Sequence, residues 1–315
     1  MKSFQEPYIN HIDVKITYAC NFKCEYCYQA DGQGRRQQGV LSKEHAENLL
    51  HFIDRTGLKF VVSLAGGEPF VYPYLEFLAA GLIEKGCKIR IITNFSAKLE
   101  KIKNFVELCN GNLEEVSISI HLSQWENMQD FYDKLSAFDE FVQERYPNLR
   151  LVITCVVTDK NYEKVKSLTQ IVEERFSHMV FRLQRVYYNG VYHMYHEEIE
   201  RFLQDKKVDV PEERANNINF YGRMCWTGSR FFYIESNGDV MRCYTRQKNN
   251  EKYYLGNLSD YKAVNILEAP SPCVSSENGK CICYLHFENC GLVLQDVATK
   301  EKIHRFIGEK EENNE

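Results

Sequence analysis

Cys20, Cys24 and Cys27 stand at a C-x3-C-x2-C spacing in the stretch Cys20-Asn21-Phe22-Lys23-Cys24-Glu25-Tyr26-Cys27. Thiolates at such short intervals on one loop can converge on one metal centre. Three of them can hold three irons of a [4Fe–4S] cube and leave the fourth iron without a protein ligand, open to a small molecule. The alternative is a zinc loop. Zinc pairs run C-x2-4-C with a second pair downstream to complete a tetrahedron, whereas here the third thiolate follows at once and no fourth ligand is near.

A second group of cysteines lies near the other end of the chain: Cys225, Cys243, Cys273, Cys281, Cys283 and Cys290. Two β-type runs, 230–234 and 240–244, are joined through Asn237-Gly238, the strongest short hairpin signal. A folded hairpin can bring Cys225 and Cys243 together. The remaining thiols, Cys87, Cys109 and Cys155, sit in helix or strand patterns and read as small core residues.

The whole chain sets bounds on this chemistry. Its 315 residues suffice for one large domain and a smaller one. A net charge of −5 argues against a general nucleic-acid binder. No run of about 18 apolar residues predicts a membrane span, and the first residues do not form a signal peptide. Twelve cysteines without an export signal point to a reducing, cytoplasmic setting and to metal binding over disulfides.

The elements that must position the first cysteines alternate. Apolar, β-branched runs at 12–18, 60–65, 88–93, 115–120, 149–157 and 179–186 predict six strands. Between them lie helical stripes. Ala46, Leu49, Leu50 and Ile53 follow i, i+3, i+4, i+7, with Ser42 as N-cap and Gly57 past the end. Pro73 is expected to open the next helix at its first position, and further stripes fall within 99–109, 128–142 and 165–172. Such βα units predict a parallel sheet with outer helices. The alternation alone does not separate an open doubly wound sheet from a curved partial barrel. In either, ligands sit at the C-terminal strand ends. By position, the cysteine loop, Thr93-Asn94, Ser119, His121, Thr158, Arg182, Gln184 and Arg185 could all face one cavity. His121 reads as structural. From about 189 the pattern changes: a turn at 187–190, a polar helix within 193–206 and a charged linker over 206–217.

The opening motif, with aromatic Tyr26 just before its last cysteine, resembles that of the radical S-adenosylmethionine (radical SAM) enzymes. Gly66-Gly67-Glu68-Pro69, running out of a buried strand, is similar to the family's GGEP segment. The glycines permit a close backbone approach to a ligand. The resemblance implies a partial (β/α)6 barrel of TIM type. It also implies that SAM chelates the open iron, that Gly66, Gly67, Glu68 and Pro69 hold its methionine amino group, and that Asn94, Ser119 and Arg182 bind its ribose and carboxylate beside Tyr26. One electron then cleaves the sulfonium to a 5′-deoxyadenosyl radical, which takes a hydrogen atom from the substrate.

Cys225, Gly238 and Cys243 resemble the C-x9-15-G-x4-C start of the family's auxiliary-cluster domains of SPASM or twitch type, here with a first gap of twelve. Six cysteines exceed the needs of one cluster, and two full clusters would need eight. One auxiliary [4Fe–4S] is therefore expected on Cys225 and Cys243, completed from Cys273, Cys281 and Cys283. Cys290 is a ligand, a thiol donor or structural, and a zinc site on the same cysteines is the alternative. The expected division is a core over 1–205, the auxiliary module over 206–307 and a disordered tail over 308–315.

The resemblance implies a flavodoxin- or ferredoxin-like electron donor. The auxiliary module points to modification of a ribosomally made peptide by cross-linking, oxidation or epimerisation. Only 19 residues precede Cys20, fewer than the leader-binding domain of many peptide modifiers, so a separate peptide-recognition protein is expected in that case. The second reading is a dehydrogenase or related enzyme acting on a small molecule such as a sugar alcohol or cell-surface precursor. A non-catalytic iron–sulfur protein is the reading from another class. It would need neither the GGEP segment nor polar strand ends.

Overall fold

Alternation along the first strand decides which face meets the core. In β1 (His11–Thr17), Ile12, Val14 and Ile16 are fully buried against the helices, while His11, Asp13, Lys15 and Thr17 take the other face. A computed structural model of the chain describes residues 9–27, 29, 39–188, 191–208, 223–244, 253–273 and 292. Within it the strands and helices alternate as the sequence predicts: α1 (Lys43–Thr56), β2 (Val61–Gly66), α2 (Leu75–Glu84), β3 (Lys88–Thr93), α3 (Leu99–Cys109), β4 (Leu113–Ile120), α4 (Met128–Arg145), β5 (Arg150–Val156), α5 (Tyr162–Arg175) and β6 (Val180–Gln184).

Strands β1 to β6 are parallel and neighbour one another in sequence order. A doubly wound sheet reverses its order at a switch point. No reversal occurs here, so each βα unit advances in the same sense and all helices cover one face, as in a partial barrel. Local signals act as expected in α1. The Ser42 hydroxyl accepts the His45 N–H at 3.0 Å, and Gly57 closes the helix in the left-handed region at φ +65°. One expectation is corrected: Pro73 does not open α2, whose N-cap is Tyr74. Pro73 follows the short 3-10 turn Pro69–Val71 and its cap Tyr72 and stands two residues before Leu75, the first residue of α2.

After β6 the chain forms a small hairpin, β7 (Tyr187–Tyr188) and β8 (Val191–Tyr192), then α6 (Glu197–Asp205). Arg185 does not join the strand-end cavity. Its guanidinium forms a bidentate pair with Glu200 of α6 at 2.7 and 2.6 Å and is buried there. The tail expected at 308–315 lies outside the described residues, as does most of the linker.

The C-terminal hairpin is present: β10 (Phe231–Ile234) pairs antiparallel with β11 (Asp239–Met241) around a turn in which Gly238 has φ +84°. It is preceded by β9 (Met224–Cys225) and followed by β12 (Tyr254–Asn257) and β13 (Ser271–Pro272). This hairpin extends the main sheet. Strand β10 lies parallel to β1, with His11 opposite Phe231 and Val14 opposite Ile234, giving the order β12-β11-β10-β1-β2-β3-β4-β5-β6. Phe232 crosses into the main core, edge-on to Phe52 at 5.0 Å and near Phe60 at 6.1 Å.

Phe232→Ala should therefore destabilise the protein by about 3–5 kcal/mol, the usual cost of emptying a buried aromatic site. Denaturant unfolding measures it. A loss below about 1 kcal/mol would mean that the hairpin does not share the barrel's core.

Candidate iron–sulfur and SAM site

The cysteine loop leaves β1 at its C-terminal end and is bonded to the ends of four other strands. The Gly67 N–H donates to Thr17 O at 2.7 Å and the Glu68 N–H to Ala19 O at 2.9 Å, so the segment after β2 is laced to the residues just before Cys20. The two glycines are required there. A Cβ on Gly66 would lie 2.0 Å from Thr17 O, and one on Gly67 2.0 Å from Ala19 O. The close approach they allow is thus to the chain's own backbone, a role not foreseen from the sequence.

Glu68 is fully buried. Its carboxylate accepts from the Phe70 N–H at 3.1 Å, the Thr93 hydroxyl at 2.7 Å and the Asn94 N–H at 2.7 Å. Burial pushes its pKa up, while the bonds from Asn94, Phe70 and Thr93 and the charge of Lys134 pull it down. A carboxylate offers about four acceptor positions, so three used leave about one. Lys134 of α4 donates to Phe95 O at 2.7 Å and to Ala97 O, bracing the loop after β3. Its ammonium is brought down to about 8 by burial, with Glu68 opposing.

Asn94, at the end of β3, donates through Nδ2 to the Asn21 side chain at 3.0 Å and to Cys20 Sγ at 3.7 Å. The Phe22 N–H also donates to Cys20 Sγ, at 3.4 Å. At the end of β4, the Gln124 carbonyl accepts the Lys23 N–H at 3.0 Å, and His121 Nδ1 lies 3.0 Å from the Tyr26 hydroxyl with the rings stacked. Beyond β5, Lys160 pairs with Glu25 at 2.6 Å. Burial, then the neighbouring Cys24, pushes the Tyr26 phenol well above its ordinary value. A cavity of about 730 Å³ opens beside Tyr26, with Leu122, Thr158, Asn161 and Val186 in its lining. Ser119 and Arg182 sit on the face opposite the helices in one row with Thr154, Ser119 opposite Thr154 and Thr154 opposite Arg182. Pro69 is buried at the start of its turn.

The donor set fits a cluster. Three thiols sit on one short loop, and Cys20 Sγ receives two N–H groups that suit an anionic sulfur. Among the described residues no three His, Cys, Asp or Glu side chains converge on a single ion.

Of the second cysteine group, Cys225, Cys243 and Cys273 lie toward the N-terminal end of β1, a strand about 20 Å long. Cys225 faces Ser271 in the β9–β13 pair, and the Cys273 N–H donates to Arg223 O at 2.6 Å. Buried Arg242 ties this end together, donating to Thr227 O at 3.0 Å and to Ser271 O at 2.8 Å. It stands beside Cys243. Burial raises the Cys225 thiol, with the Thr227 bonds opposing. Cys281, Cys283 and Cys290 lie outside the described residues.

Between the two ends runs a wall the sequence reading did not single out. Asp13 faces Ser63, Ser63 faces Arg90, Arg90 faces Glu115 and Glu115 faces Arg150 across β1 to β5. His11 Nε2 lies 2.8 Å from Asp13 and 2.9 Å from Ser63, and the Tyr244 hydroxyl donates to Asp13. Burial works against the Asp13 charge, yet the His11 and Tyr244 bonds and nearby Lys15 hold its pKa below the usual range. The alternation of polar residues in His11-Ile12-Asp13-Val14-Lys15 was the available signal.

A model of the radical SAM superfamily matches residues 14–172, just over half of the chain. The chain belongs to the radical SAM superfamily. The iron-sulfur cluster-binding domain SPASM matches residues 225–291. The two matched domains make [4Fe–4S] clusters and SAM the expected cofactors. The S-adenosylmethionine-dependent nucleotide dehydratase of Selenomonas ruminantium is 26% identical over 173 residues, covering 52% of this chain and 61% of that protein. The probable GTP 3′,8-cyclase of Saccharolobus solfataricus is 26% identical over 133 residues, 42% of this chain and 40% of that protein. The chain thus spans less than two thirds of the length of either relative. Streptococcus suis SuiB, solved with its precursor peptide SuiA, shares the fold at a TM-score of 0.55 and 15% identity, covering 82% of this chain and 65% of that one. The structure of anSMEcpe with bound AdoMet gives a TM-score of 0.55 at 18% identity, covering 82% and 80%.

Glu68→Ala would strand three buried donors. It should lower stability by at least about 2 kcal/mol, since each unsatisfied buried group costs about 1–3 kcal/mol. Thermal unfolding of the variant checks this. Wild-type stability would mean that the carboxylate is not what holds the β2 and β3 ends together.

Proposed function

We propose that Cys20, Cys24 and Cys27 hold a [4Fe–4S] cluster with one open iron, and that SAM binds there against Gly66, Gly67, Glu68 and Pro69. The observation that carries this reading is the lacing of the cysteine loop to the ends of β2, β3 and β4 through Gly67, Glu68, Asn94 and Gln124. It ties Cys20 and the rest of its loop to the strand ends that carry the buried carboxylate. When bound, the pair of cofactors supplies a 5′-deoxyadenosyl radical that abstracts a hydrogen atom from the substrate. The protein's part is orientation. Glu68 offers its remaining acceptor position to the methionine amine. Tyr26 and the cavity beside it take the adenosine, and Ser119 and Arg182 face its ribose and carboxylate. Cys225 and Cys243, with Cys273, Cys281 and Cys283, hold an auxiliary cluster at the far end. The core runs over 1–205 and the module over 206–307.

The substrate in this reading is a ribosomally made peptide, which is cross-linked, oxidised or epimerised. The likeness to SuiB, solved with a precursor peptide, supports it. A small-molecule substrate is the second reading, favoured by relatives named for action on nucleotides. A flavodoxin- or ferredoxin-like protein donates the electron, and a separate recognition protein would deliver the peptide. No described helix is long and apolar enough to cross a membrane.

Anaerobic protein with SAM and dithionite should form 5′-deoxyadenosine, and Cys24→Ala should abolish it, because the loop has no spare thiol. Full cleavage by that variant refutes the site. Metal analysis of the wild type separates the second site: about eight irons per chain fit two cubes, whereas about four with one zinc remove the auxiliary cluster.

A further inference from the structure

The cysteine loop has a neck, and the C-terminal hairpin lies against it. The loop leaves the barrel at Tyr18 and returns at Gly39. The Tyr18 N–H donates to Gly39 O at 2.8 Å, Thr17 bridges to Val40, and the Leu41 N–H donates to Ile16 O at 2.9 Å. These bonds close the loop at its base. Two residues before Cys20, the buried Tyr18 hydroxyl donates to Glu235 Oε2 at 2.7 Å. Glu235 is also buried and follows β10 directly. Its other oxygen accepts from the Tyr233 hydroxyl at 3.2 Å. The next residue, Ser236, covers the returning strand: a side chain on Gly39 would meet its hydroxyl at 2.3 Å. The hairpin turn thus contacts both strands of the neck, 217 residues along the chain from Tyr18.

We propose that Glu235 is a positioning residue for the opening iron–sulfur loop. It is supplied by the C-terminal module and acts through Tyr18. The inference rests on Cys20, Cys24 and Cys27 being cluster ligands. Its physical basis is short. A buried tyrosine hydroxyl needs an acceptor. Glu235 is that acceptor, and it is itself placed by Tyr233 and by the register of β10 on β1. Without it, the Tyr18 hydroxyl loses this bond two residues from the first thiolate. The module therefore serves the first cluster as well as its own site.

The test uses the full chain, reconstituted anaerobically, as wild type, Glu235→Ala, Glu235→Gln and Tyr18→Phe. Only a cluster with an open iron should change its electron paramagnetic resonance signal when SAM is added, so that response reports the opening cluster alone. The SAM-silent signal reports the auxiliary one. Glu235→Ala should lose iron from the SAM-responsive cluster to a chelator at least about fivefold faster, within the worth of one lost buried hydrogen bond. The SAM-silent cluster should persist. Glu235→Gln keeps an acceptor oxygen and should restore retention. Tyr18→Phe removes only the donor and should lose the shape of the SAM-induced signal.

Equal retention in Glu235→Ala and wild type overturns the proposal, as does parallel loss of both signals with a fall in the melting temperature of the cluster-free protein. A wild type with no SAM-responsive signal is a different failure: the cysteine-loop reading itself falls, and the proposal with it.

Discussion

Strand β1 is hydrogen-bonded along both edges, to β2 on one side and to β10 on the other. Both proposed metal sites are placed by that one strand. Its C-terminal end launches the cysteine loop. Its first residue bonds to Arg230 O at 2.9 Å, five residues beyond Cys225. A strand buried on both edges and one face cannot slide by one residue without turning Ile12, Val14 and Ile16 away from the core. The register of β1 therefore sets the distance and orientation between the two cysteine groups.

The two faces of the sheet carry different chemistry. Toward the helices, the side chains form one continuous apolar core. On the other face, a closed eight-stranded barrel would be filled by layers of branched aliphatic residues. Here that face bears Asp13, Ser63, Arg90, Ser119, Thr154 and Arg182, and Ile92 on it is 43% exposed. An apolar side chain left that open, in the middle strand of six, marks a wall that is not packed shut. A wall of hydroxyls and charges suits a polar guest lying between the two ends.

Much of the architecture was legible because it rests on local periodicity. The six strands, the Ser42 cap, the Gly57 stop and the Asn237-Gly238 turn each follow from a few neighbouring residues. What was not legible depends on register between distant segments. Nothing in the sequence near Gly66 says that its neighbour is Thr17 O. The joining of β10 to β1, the Glu235–Tyr18 bond and the Asp13–Tyr244 bond all couple segments more than 200 residues apart. They are fixed by a pairing that periodicity cannot announce. Arg185 failed for a related reason. Its place at a strand end suggested the cavity, but Glu200 on a helix 15 residues later gave its buried charge a partner.

Cys87, Cys109 and Cys155 are buried among apolar side chains, and burial raises all three thiols, Cys109 and Cys155 to about 12. Burial of this kind favours the neutral thiol. Iron is captured by thiolate, not thiol. These three side chains are enclosed in the apolar core, away from the strand ends, though they share the donor atom with the loop. During assembly of the holoprotein, incoming iron and sulfide meet a chain whose other core thiols are already enclosed by the fold. Correct loading then depends on folding first: an unfolded chain would present these thiols as competitors, with nothing to rank them below Cys20, Cys24 and Cys27.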